Sequence, residues 1–128
     1  MPQREDDPSI PDEEVLWRRI IPSWIHREPS GKVRPGSVAF LDRLSGELSV
    51  HIASLTTSDQ ALKDRPDDSL VAIQAGYPRS LGFAIVRDPK PDDPSHALIC
   101  PSPKGARASK LAERATWVVF RGGPSSSG

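Results

Sequence analysis

Apolar residues recur at every second position at Val38 and Phe40 and again at Leu48, Val50 and Ile52, on either side of Leu44-Ser45-Gly46-Glu47. Period-two alternation around a tight turn predicts a β-hairpin over 37–54. Upstream, β-branched and aromatic residues are dense from Val15 to Ile21 and Pro22 forbids a regular helical continuation, which reads as a strand; a short helix capped by Asp12 is the competing reading. Polar turns follow at 28–32 and at Pro35-Gly36. Beyond the hairpin, Thr57 or Ser58 can cap a short helix that Pro66 ends, and the apolar runs at 70–75, 82–86 and 97–100 read as strands. The run Asp88-Pro89-Lys90-Pro91-Asp92-Asp93-Pro94 is a rigid surface loop. From Gly105, Ala108, Leu111, Ala112 and Ala115 recur at helical spacing, predicting an amphipathic helix, and 116–120 is a last strand.

These elements predict one α+β domain over 12–121, a single sheet of five to six short strands with a central hairpin and two to four short helices. Residues 1–11 hold three prolines, an acidic run and one aliphatic residue, the composition of a flexible tail, and 122–128 are Gly, Pro and Ser, a disordered end. The chain has 128 residues, enough for one core. Its 14 prolines are about twice the usual share. The one cysteine, Cys100, allows no internal disulfide, no window approaches the ~20 apolar residues of a membrane span, and the N-terminus lacks the basic and apolar regions of a signal peptide. A soluble cytoplasmic protein without membrane partners is expected.

The formal net charge is zero, but residues 1–14 hold six acids and one arginine, leaving 16 bases against 11 acids in 15–128. Five of those bases, against one acid, lie between Lys104 and Arg121. Lys104, Arg107, Lys110 and Arg114 share one side of the last helix and form a candidate contact for nucleic acid or another polyanion. Arginine outnumbers lysine 12 to 5, a bias that a GC-rich genome of bacterial type produces as readily as a demand for bidentate recognition does.

No phosphate loop, H-E-x-x-H, cysteine pair or G-x-S-x-G elbow is present. The candidate catalytic residues are His51, on the less apolar face of its strand, His96, where the proline-rich loop enters a strand, and Asp88, which is placed to orient a ring. Arg34 and Arg43 are candidates for holding an anionic group. No metal site is expected, because His96 and Cys100 are four residues apart on one strand, about 13 Å. No cofactor is implied.

An early strand bearing Arg18 and Arg19, followed by a strand with Ser49, resembles in outline the ADP-ribosyltransferases of the arginine-serine-glutamate type. The resemblance implies a nucleotide-like substrate. No glutamate pair marks a catalytic loop, and Glu113 falls on the predicted helix.

Two functions are therefore expected, in this order. The first is a binding or accessory module that presents a surface to a protein or anionic partner. The second is a small enzyme acting on a nucleotide-like or phosphorylated substrate through a histidine and arginine cleft.

Overall fold

The computed structural model describes residues 5–41 and 47–121. Its strands are β1 (Val15–Ile20), β2 (Ile25–Arg27), β3 (Val33–Pro35), β4 (Leu48–Ile52), β5 (Ser69–Gln74), β6 (Ala84–Arg87), β7 (His96–Cys100) and β8 (Thr116–Val119), and its helices are α1 (Ser58–Ala61), α2 (Gly76–Ser80) and α3 (Gly105–Arg114). Six strands form one antiparallel sheet in the order β6-β7-β4-β1-β5-β8, and β2 with β3 forms a separate two-stranded arm. The architecture is α+β, as the sequence predicts.

Val15–Ile20 is a strand and not a helix, and it lies inside the sheet between β4 and β5. Its alternation sorts the two faces. Leu16 and Ile20 are fully buried on the face that also takes Leu48, Val50, Ile52, Val71, Ile73, Ile85 and Ile99. The amphipathic α3 covers this face with Ala108, Leu111 and Ala112. Trp17 points the other way, where it joins Ala61, Leu62, Leu70 and Val119 in a smaller cluster under α1. Thr57 caps α1, its Oγ1 accepting the Gln60 N–H at 3.1 Å.

The first arm of the expected central hairpin is absent: Ser37–Phe40 is a 3-10 turn, and most of the expected reversal, residues 42–46, lies outside the described residues. β4 already has strand partners on both sides, β1 and β7, so no ladder remains for residues 37–40 to join. Within the turn Ala39 and Phe40 are both buried while Val38 is 43% exposed, an order that strand alternation forbids.

Residues 5–11, expected as a flexible tail, lie against the body. Ile10 is 1% exposed and belongs to the main core. Asp7 N–H donates to the Ile85 carbonyl and the Ile85 N–H donates to Asp6 Oδ1, both at 2.8 Å. Arg79, on α2, donates to Asp6 Oδ1 at 2.9 Å, Asp12 Oδ1 at 2.8 Å and the Asp7 carbonyl at 2.9 Å. The acidity that argued for a solvated tail is met by this guanidinium and by Arg87, whose Nε lies 3.6 Å from Asp7 Oδ2. The chain passes so close to α2 that a Cβ on Gly76 would stand 2.9 Å from Asp12 Cβ. The C-terminal residues 122–128 lie outside the described residues.

Among the described residues no helix is long and apolar enough to cross a membrane.

Candidate functional site

The sheet face away from α3 gathers the titratable groups. β4 and β7 pair His51 directly with His96, so both side chains stand on this face, their ring centroids 6.2 Å apart and nearly perpendicular. The proline-rich loop that follows β6 turns on a two-way bridge between Lys90 and Asp93 and supplies one carboxylate to each ring. His96 Nδ1 lies 3.0 Å from both Asp88 Oδ2 and the Asp88 carbonyl. His51 Nδ1 lies 3.1 Å from Asp93 Oδ2 and 3.2 Å from Ser95 Oγ. Carboxylate and carbonyl oxygens only accept, so each Nδ1 carries a proton and a neutral ring keeps its lone pair on Nε2.

Ser95, Asp93 and His51 do not form a nucleophilic triad. The Ser95 hydroxyl donates to Asp93 Oδ1 at 2.6 Å and sits with that carboxylate on the same ring nitrogen. A triad needs serine and carboxylate on opposite nitrogens. What the arrangement does provide is a fixed tautomer and orientation for two imidazoles, which acid–base chemistry requires.

His51 is 8% exposed and lines a cleft of about 350 Å³ with Arg19, Lys63, Asp64, Asp92 and Asp93; His96 lies outside that lining. Burial pushes the His51 imidazole below its usual range; Asp93 opposes this, while Arg19 and His96 add to it. Burial likewise lowers the Arg19 guanidinium, aided by Arg65 and opposed by Asp68 and Asp93. Sequence reasoning named His51, His96 and Asp88, and the structure brings the three together. It did not single out Asp93, and it named Arg19 only beside Arg18 in the ADP-ribosyltransferase outline. Arg19 is marked only by its position between the buried phases of β1, which sends it to the opposite face from Arg18.

Arg18 turns inward, donating to the Ala39 carbonyl at 2.6 Å and the Ser49 carbonyl at 2.8 Å, with its guanidinium 5.4 Å from the Trp24 ring. It holds the Ser37–Phe40 turn on the sheet. The contact with Ser49 is to the main chain, and Arg18 is spent on structure.

The expected anion-binding residues fall elsewhere. Arg34 lies on the β2–β3 arm and pairs with Glu28 at 3.0 Å; Arg43 lies outside the described residues. On α3, Arg107 stacks over Phe83 and Arg114 over Tyr77, each 4.8 Å from the ring centroid. Lys104 and Lys110 are exposed. Two of the four bases are thus engaged with the protein's own aromatic rings, and the four do not present a uniform cationic stripe.

The arm itself creates a second candidate site. It stands over the end of α3 and the start of β8, tied by the Trp117 indole N–H donating to the Val33 carbonyl at 3.1 Å. A groove of about 590 Å³ runs along this tie, lined by Lys32, Val33, Arg34, Glu113, Arg114 and Trp117. On the other side of the arm a cavity of about 330 Å³ exposes Trp24, His26 and Val38 and shares Arg34 and Glu113. Sequence reading saw only polar turns here, although Glu28-Pro29-Ser30-Gly31-Lys32 between apolar Ile25 and Val33 is itself a hairpin signal.

Among the described residues no three or more His, Cys, Asp or Glu side chains are placed to hold a metal ion. Cys100 is buried, with its Sγ 3.6 Å from Glu47 Oε2. Compared with protein-family models, curated proteins and solved structures, the chain gives no match to any of the three, so the resemblance to ADP-ribosyltransferases gains no support.

Proposed function

We propose that the protein is a binding module and that its partner is an extended protein segment seated between the β2–β3 arm and β8. The observation that supports this most is the groove beside the Trp117–Val33 tie. It joins a half-buried tryptophan, two strands that each have a strand neighbour on one side alone, and cations at its rim. Tryptophan and arginine dominate the energetics of protein interfaces, and a strand with a free side accepts an extended peptide through its main chain. Glu28 occupies Arg34, which leaves Lys32, together with Arg114 from its place over the Tyr77 ring, to meet carboxylates. An apolar segment flanked by acidic residues fits this surface.

Selection from a display library of random peptides against the whole chain tests the proposal. Enriched peptides should converge on an apolar run with flanking Asp or Glu, and the pair of substitutions Lys32→Glu and Arg114→Glu should weaken them by about tenfold or more. No convergence, or peptides that bind the charge-reversed chain equally well, would reject it.

A second reading keeps the enzyme, because His51 is oriented by Asp93, lines a cleft that also holds Arg19, and is harder to protonate for being buried. A small enzyme of this kind would use His51 and His96, with Asp88 and Asp93 fixing the rings, on a nucleotide-like or phosphorylated substrate. It ranks behind the binding module because the rim carboxylates of Asp64, Asp92 and Asp93 repel a dianionic phosphate. Hydrolysis of p-nitrophenyl phosphate that disappears in His51→Gln would favour it, and activity unchanged by that substitution would remove it.

A further inference from the structure

The groove beside the arm leaves the Arg19 cleft, on the opposite face of the sheet, without a role. Arg19 is partly buried, yet among the described residues its guanidinium has no hydrogen bond or ion pair. Every fully enclosed side-chain nitrogen and oxygen among the described residues has a partner, so the unbonded donors of Arg19 are not sealed from solvent, and Arg19 lines the cleft. A guanidinium is a planar fork of five donors, and a half-desolvated one without an acceptor is matched by a carboxylate arriving from outside.

The rest of the lining restricts what else that molecule carries. Lys63 adds one positive charge, but Asp64, Asp92 and Asp93 add three negative ones. Asp93 is occupied by His51 and Ser95. Asp64 and Asp92 are exposed on the rim, with no ion pair among the described residues. A dianion entering the cleft meets more repulsion than attraction, and a simple cation meets Arg19. A molecule bearing one charge of each sign satisfies both ends.

We propose that this cleft binds a small zwitterion, an amino acid whose carboxylate lies on Arg19 and whose ammonium faces Asp64 and Asp92. The volume of about 350 Å³ is at the small end of the range for ligand pockets and suits a molecule of this size. His51 forms one wall, and its burial disfavours the charged ring that would compete with the ammonium.

The experiment is a titration of the whole chain, followed by amide chemical shifts, with lysine, glycine and 4-aminobutyrate as zwitterions and with butyrate, butylamine, glutarate and inorganic phosphate as single-sign controls. At least one zwitterion should shift the amides of β1 and the loop after β6, and bind about tenfold or more tighter than every control. Arg19→Gln should abolish the shifts, and Asp64→Asn with Asp92→Asn should weaken binding while leaving the melting temperature within error. Equal binding of butyrate, glutarate or phosphate would overturn the proposal. So would retained affinity in Arg19→Gln, or no response to any zwitterion at about 10 mM. Because Lys32, Arg114 and Trp117 take no part, either outcome leaves the peptide groove to be judged separately.

Discussion

His51 and His96 face one another across the β4–β7 ladder, each ring held through Nδ1 by a carboxylate from the loop between β6 and β7. The pair makes stability depend on pH through His51. Its imidazole is harder to protonate in the folded chain than in the unfolded one, chiefly because it is buried. As pH falls below about 6.5 the unfolded chain takes up the proton first, so stability held above that pH is lost until the folded-state value is passed. Urea unfolding at pH 7.5 and pH 5.5 should show a lower midpoint at the acid end, with His51→Gln removing part of the difference. An identical slope in the variant would show that another group is responsible.

The N-terminal segment should contribute to stability. Ile10→Ala removes a fully buried side chain from the main core and should cost about 2–5 kcal/mol. Arg79→Ala releases Asp6, Asp12 and the Asp7 carbonyl together and should lower the melting temperature as well. A chain begun at Asp12 with an unchanged melting temperature would contradict the first, and an unchanged melting temperature in Arg79→Ala would contradict the second.

Phe40 and Val38 separate the 3-10 turn from a strand. Phe40→Ala should cost about 3–5 kcal/mol as a core truncation, whereas Val38→Ala, at an exposed position, should fall within about 0.5 kcal/mol of the parent. Chemical denaturation of the two variants measures this directly, and equal losses would put both side chains in the core.

On α3, Arg107→Ala should reduce stability by about 0.5–1 kcal/mol through lost stacking on Phe83, while Lys110→Ala should leave it unchanged. If the helix does bind a polyanion, Lys104→Glu with Lys110→Glu should flatten the salt dependence. Retention on heparin at low salt that these changes do not alter would exclude the helix as the contact.

Much of the fold was legible because local pattern and tertiary setting agree. The helical period of Leu111 and its neighbours, the Thr57 cap and the apolar runs of β5 and β7 are each a local signal that packing reinforces. The pattern misled where it was short. Val38 and Phe40 are two points, which fit a strand and a turn alike, and the decision came from strands β1 and β7 taking both sides of β4. The acidic segment misled for a different reason: its partner, Arg79, is more than 60 residues away in sequence, and a charge run looks solvated until the opposite charge is located. In the candidate sites, His51 and His96 were found by side-chain type, but Asp93 and Arg19 take their roles from the loop fold and the strand phase. The groove beside Trp117 is made by two segments that meet only in the folded chain.

The two hydrogen bonds that the Ile85 main chain makes, one with the Asp7 N–H and one with the Asp6 carboxylate, have a further consequence. β6 is the last strand on its side of the sheet, with a row of amide groups that would otherwise be free to template pairing with another chain. Asp6 and Asp7 cover part of that row and place negative charge along it. A shortened chain should therefore fail by self-association before it fails by unfolding, becoming turbid at concentrations where the full chain stays clear.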